Sequence, residues 1–132
     1  MCDDTPDRLA LLMDDVRHFV QERAWERYHD PKNLVMAVAS EAGELCDVLR
    51  WVPSDEADAA ARGRHRGALE AEIADVAICL LMLCDRVGID LVDAARAKLE
   101  SNRIKYPVAF KIHALLDHKR VQVDRPDFTG PP

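Results

Sequence analysis

The sequence predicts an all-α protein, an antiparallel four-helix bundle in one helical domain over residues 1–107. Three observations predict it. Apolar residues recur at helical spacing in four segments, helix-start and helix-stop residues separate those segments, and aromatic residues make up only 5% of a chain that is 48% hydrophobic. At 132 residues the chain can bury one core and is too short for two ordinary ones. Short connections between the segments favour antiparallel neighbours.

Proline marks the starts of the first two predicted helices. Thr5-Pro6 has the form of an N-cap followed by proline at the first helical position, and the apolar spacing then continues to about Arg27. Asp30-Pro31 repeats this start signal, and a second apolar stripe runs on until Pro53 stops it.

The third predicted helix must be buried on more than one face. It runs from Ala68 to Val87, is apolar on every side between Val76 and Cys84, and has Gly88 as its C-terminal stop. The connection before it is polar, with room for one short helical piece.

Asp90 is expected to cap a fourth helix, which continues to about Lys105 and ends before Tyr106-Pro107. The remaining residues, 108–132, form a C-terminal extension that we expect to be partly disordered, with one possible helix from Phe110 to Leu116.

Charge and cysteine usage limit the classes of partner. A formal net charge of −6 disfavours a nucleic-acid binder, which would present a basic face to the phosphates. The four cysteines form no CxxC pair, and we find neither a signal peptide nor an apolar stretch long enough to cross a membrane. These features predict a reduced, cytoplasmic protein that contacts no membrane.

Two acidic pairs stand out from the other acids because of their positions on the helices. At about 100° per residue, Glu41 falls inside the apolar arc of the second helix and Glu44 falls at its edge, beside Trp51. Glu72 and Asp75 border the apolar arc of the third helix. Both pairs can therefore face one gap between helices.

Four carboxylates in such a gap need protons, basic partners or a metal ion. A divalent cation meets that need with oxygen ligands alone. Because no histidine follows either pair by three residues, the pattern favours Mg²⁺ or Mn²⁺ over zinc or a di-iron centre. The alternative is that these acids pair with arginines or lie at the surface.

Groups that could bind a phosphorylated substrate occur on the fourth helix and in a loop. Lys98, Asn102 and Lys105 fall on one helical face, which is either a phosphate-binding face or an ordinary solvated stripe. The basic run from Arg62 to Arg66 could fold over a nucleotide or remain solvated. The ring of Trp51 could stack on a base, pack in the core or contact another subunit.

The acidic motifs carry a resemblance to a known family. Ser40–Leu45, followed by Glu72–Val76, resembles the Glu-x-x-Glu and Glu-x-x-Asp signature of the MazG-like nucleotide pyrophosphohydrolases. Glu22–Leu34, Trp51 and Lys98–Pro107 are similar to the dCTP pyrophosphatase branch of that family.

The resemblance implies a Mg²⁺-dependent all-α enzyme that converts a nucleoside triphosphate and water into the monophosphate and pyrophosphate. It implies a preference for dCTP or a related pyrimidine deoxynucleotide, a role in cleaning the nucleotide pool, and a homo-oligomer, either a dimer or a tetramer. It assigns metal binding and catalysis to Glu41, Glu44, Glu72 and Asp75, the base pocket to Trp25 and Trp51, and the sugar and phosphates to Lys98, Asn102, Lys105 and Tyr106.

Two other classes of function remain compatible with the residues alone. One is a non-catalytic helical interaction module that homodimerises through the apolar third helix, and the other is a carboxylate-bridged redox-metal protein. An obligate dimer would fit every reading, because the apolar stretch from Val76 to Leu83 exceeds what one small bundle can easily cover.

Overall fold

The computed structural model describes residues 7–108, and within that range the chain forms α-helices, one 3-10 helix at Glu26–Tyr28 and no strand. The all-α class is therefore confirmed. The α-helices are α1 (Arg8–Glu22), α2 (Pro31–Leu49), α3 (Ala57–Arg62), α4 (Arg66–Val87) and α5 (Leu91–Lys105). The four long helices correspond to the four predicted ones, and α3 occupies the polar connection. The predicted C-terminal extension lies, from residue 109 onward, outside the described residues.

Side-chain caps fix the starts of three helices. The Asp30 carboxylate accepts from the backbone N–H of Asn33 at 2.9 Å, as predicted for α2. The carboxylate of Asp90 accepts in the same way from Asp93 at 2.9 Å, ahead of α5. For α1 the observed cap is Asp7, whose carboxylate accepts from the N–H groups of two residues in the first turn. The proposed Thr5-Pro6 start lies outside the described residues.

The first helix ends earlier than Arg27, and the reason is a backbone turn at Ala24. Ala24 has φ 52, the left-handed region that non-glycine residues rarely adopt. Its N–H donates to Gln21 O at 3.0 Å, and the N–H of Trp25 donates to Val20 O at 3.1 Å. This is the double hydrogen bond of a Schellman motif, which terminates a helix.

The second helix also ends earlier than predicted, at Leu49 instead of immediately before Pro53. Proline has no N–H to donate to the Leu49 carbonyl, so that carbonyl accepts from Val52 at 3.0 Å in a tighter turn. Trp51 therefore lies beyond the helix, and the helical phase of α2 does not determine its position.

The described chain forms two compact units, which divide between Ala94 and Ala95, within α5. In the first unit, the pairing of α2 with α4 is the most extensive helix contact, and α1 and α3 also pack on α4. The buried side chains are Val16 and Val20 on α1, Leu34 on α2, Ala60 on α3, and Cys79, Leu81 and Cys84 on α4. Helix α4 is thus the central element of this unit, as its apolar sequence predicts.

Many large apolar side chains remain exposed in the single chain. Met36 on α2 is 62% exposed, Ile73 on α4 is 55% exposed, and Ile104 on α5 is 77% exposed. No residue of α5 is buried. These side chains are candidate contact residues for another protein surface.

In the part of the chain that the structure describes, no helix is long and apolar enough to cross a membrane.

The turn after α1 gives a stability prediction. Replacing Ala24 with glycine removes the Cβ strain of the left-handed conformation, and part of that gain is lost because glycine is more flexible in the unfolded chain. We expect the free energy of unfolding, measured by urea denaturation, to rise by about 0.5 kcal/mol.

Gly88 provides the matched control, because it ends α4 at φ 69 with the same two hydrogen bonds, from Gly88 to Asp85 and from Ile89 to Cys84. No neighbouring atom lies within 4 Å of the position that a Cβ would occupy. Gly88→Ala should therefore lower stability by a similar amount. A loss of stability in Ala24→Gly would show that Ala24 is not strained.

Candidate metal centre

Three carboxylates meet where α2 packs against α4. Glu41 on α2 and Glu72 and Asp75 on α4 each offer one oxygen, and these atoms all lie within 4.8 Å of one another. The three-residue spacing of Glu72 and Asp75 places both on one side of α4. Two predicted pairs thus contribute to one cluster across the helix interface.

Glu41 is the member most affected by its surroundings. It is half-buried, and burial raises the pKa of its carboxyl above the ordinary value of 4.5. The negative charges of Glu44, Asp75 and Glu72 raise that pKa further. Without a compensating positive charge, the folded protein therefore disfavours the ionised form of Glu41.

The cluster is not neutralised by basic side chains in the described residues. The ion pairs between residues 7 and 108 include neither Glu41, Glu44, Glu72 nor Asp75. One carboxylate oxygen of Glu72, Oε2, is buried and has no hydrogen-bond partner. A buried oxygen without a donor is costly, and a divalent cation would satisfy it. The all-oxygen donor set suits a hard ion such as Mg²⁺ or Mn²⁺.

Glu44 differs from the other three acids. Its side chain is exposed, and it is not part of the group whose oxygens lie within 4.8 Å of one another. It still adds negative charge near Glu41, one helical turn earlier. The structure thus brings together three of the four predicted ligands and leaves Glu44 at the edge.

The two tryptophans occupy different settings. Trp25 is 40% exposed and meets the ring of Phe19 edge to face, with centroids 5.6 Å apart, and the ring of His29 at 6.1 Å. Trp51 is 86% exposed, and the Arg50 guanidinium lies 5.8 Å from its ring. Neither ring is enclosed within the single chain.

The predicted sugar- and phosphate-binding residues belong to the second unit. Lys98 is exposed on α5, and Asn102 is half-buried one turn later. The Tyr106 N–H donates to Asn102 O at 2.7 Å, and the Lys105 ammonium lies 5.2 Å from the Tyr106 ring centroid. Asn102, Lys105 and Tyr106 thus lie within about one turn at the end of α5, as their spacing in the sequence requires.

The basic run between Arg62 and Arg66 is mostly engaged with nearby acids. Arg66 pairs with Glu70 at 2.8 Å, and Arg64 lies 3.7 Å from Glu56. These side chains are more than half exposed, which fits the solvated reading of this segment.

Cys79 lies next to the carboxylate cluster, one turn after Asp75 on α4. It is buried, and burial together with the charges of Glu41 and Asp75 raises the pKa of its thiol. Burial, with Asp90, also raises the pKa of Cys84. Both thiols therefore stay protonated at neutral pH and act as small buried groups. Cys46, by contrast, is exposed.

Comparison with known proteins identifies relatives of this chain. It is similar to dCTP pyrophosphatase 1 of Bos taurus, with 39% identity over 101 residues, 73% of this chain and 60% of that protein. The human dCTP pyrophosphatase 1 is 37% identical over 100 residues, 72% of this chain and 59% of that protein. The chain thus spans about three fifths of the length of these relatives.

The fold is also found among solved structures. A pyrophosphatase from Archaeoglobus fulgidus superposes with a TM-score of 0.72 at 41% sequence identity, over 75% of this chain and 92% of that one. No protein-family model matches the chain.

The raised pKa of Glu41 gives a prediction for the metal-free protein. Glu41 binds its proton more tightly in the folded state, so its ionisation opposes folding as pH rises above 4.5. In the presence of a chelator, Glu41→Gln should be more stable than the wild type at pH 7. The stabilities of the variant and the wild type should converge below about pH 4.5, where Glu41 is protonated in both the folded and the unfolded state. Urea denaturation at pH 4 and pH 7 measures the difference.

Glu70→Gln is the matched control, because Glu70 lies on α4 in an exposed pair with Arg66 and its loss should slightly lower stability at pH 7. Equal effects of the two substitutions at pH 7 would show that Glu41 is not destabilised by its neighbours.

Proposed function

The chain belongs to the MazG-like nucleotide pyrophosphohydrolases, and from that membership we propose that it hydrolyses nucleoside triphosphates to the monophosphate and pyrophosphate with the help of Mg²⁺. The proposed substrate is dCTP or a related pyrimidine deoxynucleotide, because the relatives carry the name dCTP pyrophosphatase. Removal of such nucleotides from the cytoplasmic pool is the role that this reaction would serve.

One observation carries the proposal. Three carboxylate oxygens from α2 and α4 lie within 4.8 Å of one another, beside a buried oxygen of Glu72 that has no hydrogen-bond donor. An arrangement with this much uncompensated negative charge destabilises the fold unless a cation binds. A folding role alone would be better served by apolar residues, so the cluster indicates chemistry.

We assign cation binding to Glu41, Glu72 and Asp75. A divalent cation bound there would neutralise phosphate charge and lower the pKa of a bound water. The packing of α2 on α4 holds the three carboxylates close together. This preorganisation avoids the cost of gathering like charges during the reaction.

Glu44 is assigned to the attacking water. It is exposed at the edge of the cluster, so its carboxylate can accept a hydrogen bond from a solvent water and then its proton. The water oxygen bonds to the α-phosphorus, the bond from that phosphorus to the α–β bridging oxygen breaks, and pyrophosphate leaves. Lys98 and Lys105 would offset the charge of the leaving group, while Asn102 and Tyr106 would bind the sugar and phosphates. Trp25 and Trp51 would contact the base.

The reaction is tested by incubating the protein with deoxy- and ribonucleoside triphosphates, with and without Mg²⁺, and by separating the products. We expect monophosphate and pyrophosphate only when Mg²⁺ or Mn²⁺ is present. Glu72→Gln and Asp75→Asn should each lower kcat by about a hundredfold or more, because each removes a charged oxygen from the centre. Circular dichroism should show unchanged helix content.

Glu70→Gln, two residues before Glu72 and outside the cluster, should retain normal turnover. Diphosphate and phosphate as products would contradict the proposed bond cleavage, and near-normal turnover in Glu72→Gln would remove that residue from the site.

A homo-oligomer, a dimer or a tetramer, is part of the proposal. The exposed Met36, Ile73 and Ile104 side chains leave apolar surface on three helices that association would remove from water. We expect sedimentation equilibrium at micromolar concentration to give at least twice the mass of the 14.9 kDa chain. A monomer at that concentration would contradict this part of the proposal.

The same exposed surface supports the second candidate, a non-catalytic interaction module that homodimerises. That module requires no cation, so isothermal titration calorimetry with Mg²⁺ and Mn²⁺ distinguishes the two. Cation binding that disappears in Glu72→Gln favours the enzyme, and self-association without cation binding favours the module.

A further inference from the structure

The backbone on both sides of Trp25 is fixed, although Trp25 is 40% exposed and is not part of the core. The Trp25 N–H donates to Val20 O at 3.1 Å, and Trp25 O accepts from the Tyr28 N–H at 2.8 Å. Ala24, the residue before it, is held at φ 52. Backbone strain of this kind is found most often beside functional groups.

The ring of Phe19 on α1 restricts the Trp25 side chain. The two ring centroids are 5.6 Å apart and the ring planes make an angle of 82°. This is the perpendicular arrangement that the quadrupoles of aromatic rings favour. Because an exposed tryptophan otherwise exchanges among several rotamers, this contact narrows the orientations that the indole adopts.

Arg23 in turn restrains the Phe19 ring. Its guanidinium carbon lies 3.7 Å from the Phe19 ring centroid, which is a cation–π contact. Arg23 Nη1 donates to Phe19 O at 3.0 Å and to Glu22 Oε2 at 3.3 Å, so the guanidinium is tied to the end of α1. Phe19 therefore offers Trp25 a contact surface that is itself held in place.

These contacts orient an indole that still has accessible surface. A partly exposed ring removes less apolar surface from water than a buried one, so it contributes less to the core. A nucleotide base can stack on exposed aromatic surface. A ring that is already oriented loses less conformational entropy when the base binds, so its orientation increases affinity.

We propose that Phe19 is a positioning residue, which holds the Trp25 indole in the orientation that contacts the base of the nucleotide. Phe19 then acts on substrate binding through Trp25 and does not itself touch the substrate. The inference rests on the proposed function, because it takes the base as the ligand of Trp25. Phe19 is not among the residues that the sequence analysis singled out.

Phe19→Leu tests the inference through separate measurement of KM and kcat for dCTP. Leucine keeps an apolar side chain but removes the ring that contacts Trp25 and Arg23. KM should rise about fivefold, which is the size of one aromatic pair interaction. We expect kcat to stay as in the wild type, because contact with the base is the same before and during bond cleavage at the α-phosphorus. Phe19→Tyr keeps the ring at this exposed position and should keep the wild-type KM.

A double-mutant cycle with Trp25→Leu decides whether Phe19 acts through Trp25. Trp25→Leu alone should raise KM about tenfold, the loss of one base-stacking contact. Phe19→Leu added to Trp25→Leu should raise KM no further, because the ring that Phe19 orients is then absent.

Tyr28→Leu is the matched control. The Tyr28 side chain is exposed, and the Arg27 guanidinium lies 4.7 Å from its ring, so it too is an aromatic residue beside an arginine. Between residues 7 and 108, the ring pairs of Trp25 are with Phe19 and His29 and not with Tyr28. Tyr28→Leu should therefore leave KM unchanged. Circular dichroism should show the same helix content in Phe19→Leu and Tyr28→Leu.

The inference would be overturned, while the proposed function stands, by any of three results. These are an unchanged KM in Phe19→Leu, an equal rise in Tyr28→Leu, and a further rise of the same size when Phe19→Leu is added to Trp25→Leu. A fall in kcat without a rise in KM would also overturn it.

Failure of the wild type to hydrolyse any triphosphate would instead reject the proposed function. Calorimetric titration with dCTP and Mg²⁺, which then leaves the nucleotide intact, would run the same cycle on Kd. A loss of affinity in Phe19→Leu that disappears in the Trp25→Leu background supports the positioning role. Absence of dCTP binding to the wild type overturns it.

Discussion

The repulsion among three carboxylates at the α2–α4 interface is the constraint around which the first unit is organised. These helices form the most extensive contact of the unit, yet they place Glu41, Glu72 and Asp75 within a few ångströms of one another. Apolar burial along the rest of the interface must offset that repulsion. Because the folded protein already holds the three carboxylates together against their repulsion, they need not move together when a cation binds. Burial raises the pKa of Glu41, and the charges of its acidic neighbours raise it further. One oxygen of Glu72 is buried there without a donor.

Helix α4 carries two of the three clustered carboxylates and, farther along, one wall of a cavity that it forms with α1. Asp75 contributes to the carboxylate cluster, Cys79 is buried one turn later, and Met82 and Asp85 line the cavity after it. The Schellman motif at Ala24 positions the other wall, because it ends α1 and leads directly into Trp25 and the 3-10 helix before His29. A strained alanine is tolerated there because the two hydrogen bonds and the packing of α1 on α4 fix the turn.

The exposed apolar surface of the single chain is the structural argument for assembly. Ile73 on α4 and Met36 on α2 are more than half exposed in the single chain, although both side chains are apolar. Helix α5 has no buried residue, although a 15-residue helix is marginal in water without packing partners. Association with further copies of the chain would remove this surface from water. The proposed substrate residues on α5 would then depend on assembly for their rigidity.

Local sequence determined several helix ends and the spacing of two of the clustered acids. The caps at Asp30 and Asp90, the stop at Gly88 and the three-residue spacing of Glu72 and Asp75 act within one helical turn, so the chain encodes them directly. The early ends of α1 and α2 were not predicted, because Ala24 carries no glycine-like signal and the effect of Pro53 extends back to Leu49. Only the tertiary structure decided that the oxygens of Glu41, Glu72 and Asp75 meet within 4.8 Å across two helices, and that Arg17 meets Asp85, 68 residues later in the chain. Helical periodicity assigns a residue to a face, whereas the packing of one helix on another decides which faces meet and which side chains come within bonding distance.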